Sequence, residues 1–126
     1  MTTVEQQTLT DLEAFVMLGF RYDASASFRV TLPRDREQAR RVLGAVGCYN
    51  RFEPDEAWAI ADGWWRHVTH VELARDRGVN LTFHLCPGSR ESRLEHAVML
   101  RRELRDIGAH ETSCNLVTGT VGAWWD

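Results

Sequence analysis

The chain has 126 residues, 44% of them hydrophobic and 10% aromatic, enough for one domain with a single modest core and too apolar for a disordered chain. Its net charge of −3, with fifteen arginines and no lysine, disfavours general nucleic-acid binding, which draws affinity from surplus positive charge against phosphates. The longest apolar run, Ala14 to Phe20, is too short to span a bilayer, MTTVEQQTLTD is not patterned as a secretory leader, and an odd count of three cysteines fits free thiols, so a cytoplasmic protein is expected.

In chain order, Thr8 to Leu18 reads as a helix, with Thr8 or Thr10 as its cap, an apolar stripe of Leu9, Leu12, Phe15 and Val16, and Gly19 as its stop. Ser25 to Leu32 alternates as a strand, with Ala26, Phe28, Val30 and Leu32 inward and Ser27, Arg29 and Thr31 outward. Pro33 ends it. Asp35 caps a second helix with Gln38 three residues on, and Ala39, Val42, Leu43 and Val46 form its buried face before Gly47 stops it. An aromatic-dense insert follows, with Pro54 in a first helical turn, Ala57, Ile60, Ala61 and Trp64 at helical spacing, and Gly63 as the expected breaker.

The stretch Trp64 to Cys86 predicts a β-hairpin. Val71, Leu73, Val79, Leu81, Phe83 and Leu85 all fall on odd positions, the period-two mark of a strand with one buried face, and Arg75-Asp76-Arg77-Gly78 has turn chemistry. Pairing Leu73 with Val79 puts the odd side chains on one face. It leaves Val68, His70, Glu72, Asn80, Thr82, His84 and Cys86 on the other, with His70 across from Thr82 and Glu72 across from Asn80. After Pro87-Gly88, Ser89 caps a helix to about Ile107, ended by Gly108, with Leu94, Ala97, Leu100, Leu104 and Ile107 buried. A last strand is expected around Thr112 to Thr118, followed by the tail GTVGAWWD.

Without the first helix and the aromatic insert, the order is β-α-β-β-α-β. This predicts one α+β domain over residues 1–126 with the ferredoxin-like split arrangement, two helices on one face of an antiparallel sheet. The second face stays open unless the N-terminal helix, the tail or a second subunit covers it. No motif in the chain points to a family, and the fold itself hosts many functions.

Several residue sets carry chemistry. His70 and Glu72 point the same way on one strand, with His84 on the next; they are the candidate catalytic or metal-binding residues, joined by Arg29 and Thr31 if the first strand is adjacent. The plainer alternative is a polar face open to solvent or to a second copy. His84-x-Cys86 and His110-x3-Cys114 offer four zinc-type ligands without the strong CxxC spacing. Cys86 precedes a helix N-terminus, but a phosphatase-type loop requires arginine where Ser92 stands. Five tryptophans, four in adjacent pairs, exceed what a small core readily absorbs. The leading expectation is therefore a non-enzymatic interaction module of regulator or inhibitor type. It would bind a protein partner or itself as a homodimer through Trp58, Trp64, Trp65, Trp124 and Trp125, with Arg40 and Arg41 at the rim. The alternative is a small enzyme or ligand-binding domain with a His70/Glu72/His84 pocket, in which metal is one option. The sequence specifies no cofactor.

Overall fold

The apolar period switches from helical to alternating along the chain, and the fold follows it. A computed structural model describes residues 4–23 and 25–126, with side chains from residue 11 onward. The elements are α1 (Val4–Met17), continued by a π-helical turn (Leu18–Tyr22), β1 (Phe28–Thr31), α2 (Arg36–Gly44), α3 (Pro54–Trp64) with a 3₁₀ turn (Trp65–His67), β2 (Val68–Arg75), β3 (Val79–Leu85), α4 (Arg90–Asp106), β4 (Glu111–Asn115) and β5 (Thr120–Trp125). The strands form one five-stranded sheet in the order β1-β2-β3-β5-β4, every neighbouring pair antiparallel.

The mixed α+β class agrees with the expectation. The strand order differs from the ferredoxin-like one: β1 lies at an edge, and the tail forms a fifth strand between β3 and β4. That strand obeys the same alternation as the hairpin, with Val121, Ala123 and Trp125 buried. A split β-α-β relation is present in the C-terminal half, where β3 and β4 run parallel with β5 between them. Asn115 makes the β4–β5 turn: its side-chain oxygen accepts from the backbone N–H of Val117 at 3.0 Å and of Thr118 at 3.2 Å.

The helices lie side by side from α1 to α4 on one face. Their Val16, Ala39, Val42, Leu43, Ala57, Ala61, Ala97, Leu100 and Leu104 meet Val71, Leu73, Val79, Leu81, Phe83 and Leu85 of the sheet in one continuous core. The caps are largely as read: Asp35 accepts from Gln38 N–H at 3.0 Å, and Ser89 accepts from Ser92 N–H at 3.1 Å. Within α4, Leu94 departs from the expected stripe and is 48% exposed, because the buried face runs through Ala97, Leu100 and Leu104. The expected caps Thr8 and Thr10, and Leu9 of the stripe, have side chains outside the described residues; the helix is already formed at Val4.

Of the four glycines expected to stop helices, Gly47 (φ 74°) and Gly108 (φ 95°) follow the ends of α2 and α4, whereas Gly19 and Gly63 end none. Gly63 lies within α3, whose turns continue to Trp64. Gly19 lies inside the π-helical turn, where the Phe28 ring packs against its bare Cα. That turn is held from the sheet: the buried Arg75 side chain, 7% exposed, donates to the carbonyls of Gly19 and Phe20 and lies over the Phe20 ring at 5.6 Å. These positions predict opposite outcomes for the same substitution. Gly63→Ala meets nothing within 4 Å of the added carbon and raises stability by about 0.5–1 kcal/mol. Gly19→Ala overlaps the Phe28 ring and lowers it by about 1–3 kcal/mol. Urea midpoints of the two variants, measured in parallel, check both signs.

Candidate functional site: two imidazoles and a carboxylate on the open sheet face

The hairpin register places the site. Leu73 pairs with Leu81, Val71 with Phe83, Glu72 with Thr82 and His70 with His84. This is two residues away from the pairing expected around Asp76, so every side chain keeps its face while its partner changes. The loop is correspondingly tighter, Asp76-Arg77-Gly78, with positive φ at Arg77 and Gly78. A β-bulge between Val68 and His70 re-phases the start of β2. It turns Val68 into the core, 1% exposed, and corrects its assignment to the polar face.

On the open face the His70 and His84 rings stack, with centroids 3.9 Å apart and planes inclined by 16°. One Glu72 oxygen bonds His84 Nε2 and lies 4.0 Å from His70 Nε2. The other accepts from Arg29 at 3.3 Å, because β1 pairs with β2 with Thr31 opposite Glu72. Thr69, the residue at the bulge, completes the cluster. Its hydroxyl donates to the His84 carbonyl at 3.3 Å and lies 2.9 Å from His70 Nδ1. A hydroxyl has one proton; with that proton on the carbonyl, it accepts from His70 Nδ1–H. His70 is then the tautomer whose Nε2 lone pair faces Glu72.

Protonation favours the same state. Burial lowers the His70 pKa below the usual histidine value, the His84 ring lowers it further, and Glu72 opposes both. For Glu72, burial pushes the carboxyl up, but hydrogen bonds from His84 and Arg29 and their charges outweigh it and hold it below the ordinary range. Neutral imidazole and ionised carboxylate are the forms that bind metal. The three ligand atoms lie within 4.8 Å of one another, and no other such group is found among the described residues. A tetrahedral ion with bonds of about 2.0–2.2 Å requires ligand atoms roughly 3.3–3.6 Å apart, so to hold one, His84 and Glu72 would move apart and His70 and Glu72 together.

Across Thr82 the face opens into a groove of about 540 Å³ bordered by Arg29, Arg77, Asn80, Ser113 and Trp124. The sequence reading missed two contributors, Thr69 and the β5 strand. Alternation over residues 120–125 was the available signal for β5; none marked Thr69, since bulges leave no local pattern.

The other expected sites do not assemble. Trp65 and Trp125 are core residues, 4% and 1% exposed, and Trp64, 7% exposed, packs into the core while bordering a groove between α3 and α4. Trp58 is partly buried and packs edge-on against Trp65. Trp124 is partly buried on the open face, beside His110. Arg40 and Arg41 lie exposed on α2, and Arg41 pairs with Glu13 at 2.9 Å. Cys86 and Cys114 do not converge with His84 and His110 as zinc ligands. The Cys86 thiol faces the Arg66 carbonyl at 3.8 Å, and Cys114 faces Arg101 at 3.8 Å. No helix among the described residues is long and apolar enough to cross a membrane. No protein-family model, curated protein or solved structure matches the chain.

The pKa directions give a signed prediction. A group whose pKa is lower in the folded state stabilises above its unfolded value and loses that contribution as pH falls through its folded value. His70 and Glu72 both act this way. The urea midpoint falls as pH drops from 7 through the histidine value of 6.5, and again below the glutamate value of 4.5. His70→Gln flattens the upper part of this fall and leaves the lower part in place.

Proposed function

We propose that the open sheet face is a metal-dependent ligand-binding or catalytic centre. His70, Glu72 and His84 would hold a divalent first-row transition ion, and the groove beside Trp124 shares Arg29 with this cluster. The observation behind this reading is the cluster itself. Two imidazoles and one carboxylate come from hydrogen-bonded neighbouring strands, and Thr69 and Arg29 hold the atoms of His70 and Glu72 that the ion does not need. Three protein ligands with open positions are the arrangement of catalytic rather than structural metal sites. Such an ion polarises a bound water or a carbonyl or phosphoryl oxygen, and the groove, with its amide, hydroxyl and indole groups, suits a small polar substrate. A cytoplasmic location accords with the three free thiols.

The test is titration of chelator-stripped protein with Zn²⁺ and Co²⁺ by calorimetry. The wild type binds one ion. Glu72→Ala and His84→Ala each weaken binding at least a hundredfold. Arg29→Ala and Thr69→Val, one step removed from the ion, weaken it about tenfold. Equal affinity in a His70→Ala/His84→Ala double variant with unchanged far-ultraviolet circular dichroism refutes the assignment.

An interaction module is the second reading, on a different patch from the one expected. Phe15, Leu18 and Tyr22 are 50%, 58% and 73% exposed and follow i, i+3, i+7 spacing along the end of α1 and its π-helical turn. Self-association through this stripe gives concentration-dependent sedimentation that Leu18→Glu abolishes; a monomer at all concentrations removes the homodimer form of this reading.

A further inference from the structure

A second cluster lies on the helical side, remote from the sheet face. Between α3 and α4 runs a groove of about 570 Å³. Its α3 wall is kept low by Ala59 and Gly63, one turn apart, and nothing lies within 4 Å of where a Gly63 side chain would start. Three rings gather there. Trp64 lies 5.6 Å from His67 and 5.4 Å from His96, and the two imidazoles are 4.9 Å apart. The Trp64 indole N–H donates to the Glu103 carboxylate, which fixes that charge against the ring cluster. Ile60, Met99 and Ile107 add an apolar lining, and Met99 is 55% exposed.

The charges select the occupant. Glu56 and Glu103 are carboxylates, and no arginine lines the groove. An anion meets two like charges. A neutral apolar molecule gains the lining but leaves the carboxylates uncompensated. A cation gains the carboxylates, the aromatic edge that Trp64 presents to the groove and the apolar lining together. We propose that this groove is a binding site for a small organic cation, an alkyl- or arylammonium, with its head against Glu103 and Trp64 and its apolar part on Ile60 and Met99.

The experiment uses benzyltrimethylammonium as probe, with benzyl alcohol and benzoate as neutral and anionic counterparts. Affinity is read by calorimetry and location by the indole N–H resonances of the five tryptophans. The cation is expected to bind at least tenfold more tightly than benzyl alcohol, with benzoate weakest, and to shift the Trp64 indole resonance selectively. Glu103→Gln keeps the hydrogen-bond acceptor, removes the charge and reduces cation affinity about tenfold. Ala59→Leu, at an exposed helical position, fills the groove and abolishes binding while the fold is retained. His84→Ala, on the opposite face of the sheet, leaves binding unchanged. Equal affinities for cation and alcohol, or cation binding that survives Ala59→Leu, overturn the assignment.

Discussion

The pairing of β2 with β3 is the constraint on which both the core and the open face depend. Val71, Leu73, Leu81 and Phe83 are all at most 1% exposed. Fully burying each such side chain is worth about 1.5–3 kcal/mol. A slip of one residue would turn one strand's pair to solvent, at a cost far above anything the polar cluster returns. Hydrophobic burial therefore sets which face His70, Glu72 and His84 occupy, and the bulge at Thr69 sets how they meet. Without the bulge, Val68 would stand on the polar face and the Thr69 hydroxyl would lack its place between His70 Nδ1 and the His84 carbonyl.

Stability gives no comparable reason for the cluster. Arg29 is 60% exposed at its side chain, and ion pairs of this kind contribute roughly 0–1 kcal/mol. The stacked histidines are held in an environment that opposes protonation of His70, so the pair of imidazoles adds no second charge to attract Glu72. What the arrangement provides is geometry. Two side chains on one strand and one on its hydrogen-bonded neighbour share little relative motion, and each has a further partner that limits its rotation. That fixed geometry, rather than any contribution to folding, is what the proposed metal centre would use.

The face assignment was legible because it needs only parity: positions 70, 72 and 84 are even, and the apolar set is odd. The pairing was not, because moving the partner by two residues preserves parity; the choice is made by the loop and by Arg75, which continues β2 inward to reach the carbonyls of the π-helical turn. No local pattern announces that a nominal turn arginine will be buried 56 residues from its acceptor. The helices were readable from spacing and caps, and so were the stops at Gly47 and Gly108; those expected at Gly19 and Gly63 were not. Glycine weakens a helix by about 1 kcal/mol, which packing of Ala57, Ala61 and Trp64 in α3 readily exceeds. The sheet order was hidden for a further reason: the tail alternates as a strand, but nothing in it says which edge it joins.

The tryptophans show how adjacency in sequence differs from adjacency in space. Neighbouring residues on a strand point to opposite faces, so Trp124 reaches the open face while Trp125 packs against Phe52 with centroids 5.1 Å apart. At the α3 terminus the pair divides by helical rotation instead. Trp64 turns to α4 and gives its N–H to Glu103, whereas Trp65 turns to the loop before α2, donating to the Arg34 carbonyl at 3.0 Å beneath the Arg34 guanidinium. Each pair thus yields two single rings with separate duties rather than one apolar surface. Trp65 and Trp125 fasten the insert and the last strand to the core. Trp64 and Trp124 each border a groove, one carboxylate-lined on the helical side and one beside the histidine cluster. The high tryptophan count follows from a small domain that uses the same residue both to close its core and to edge two separate cavities.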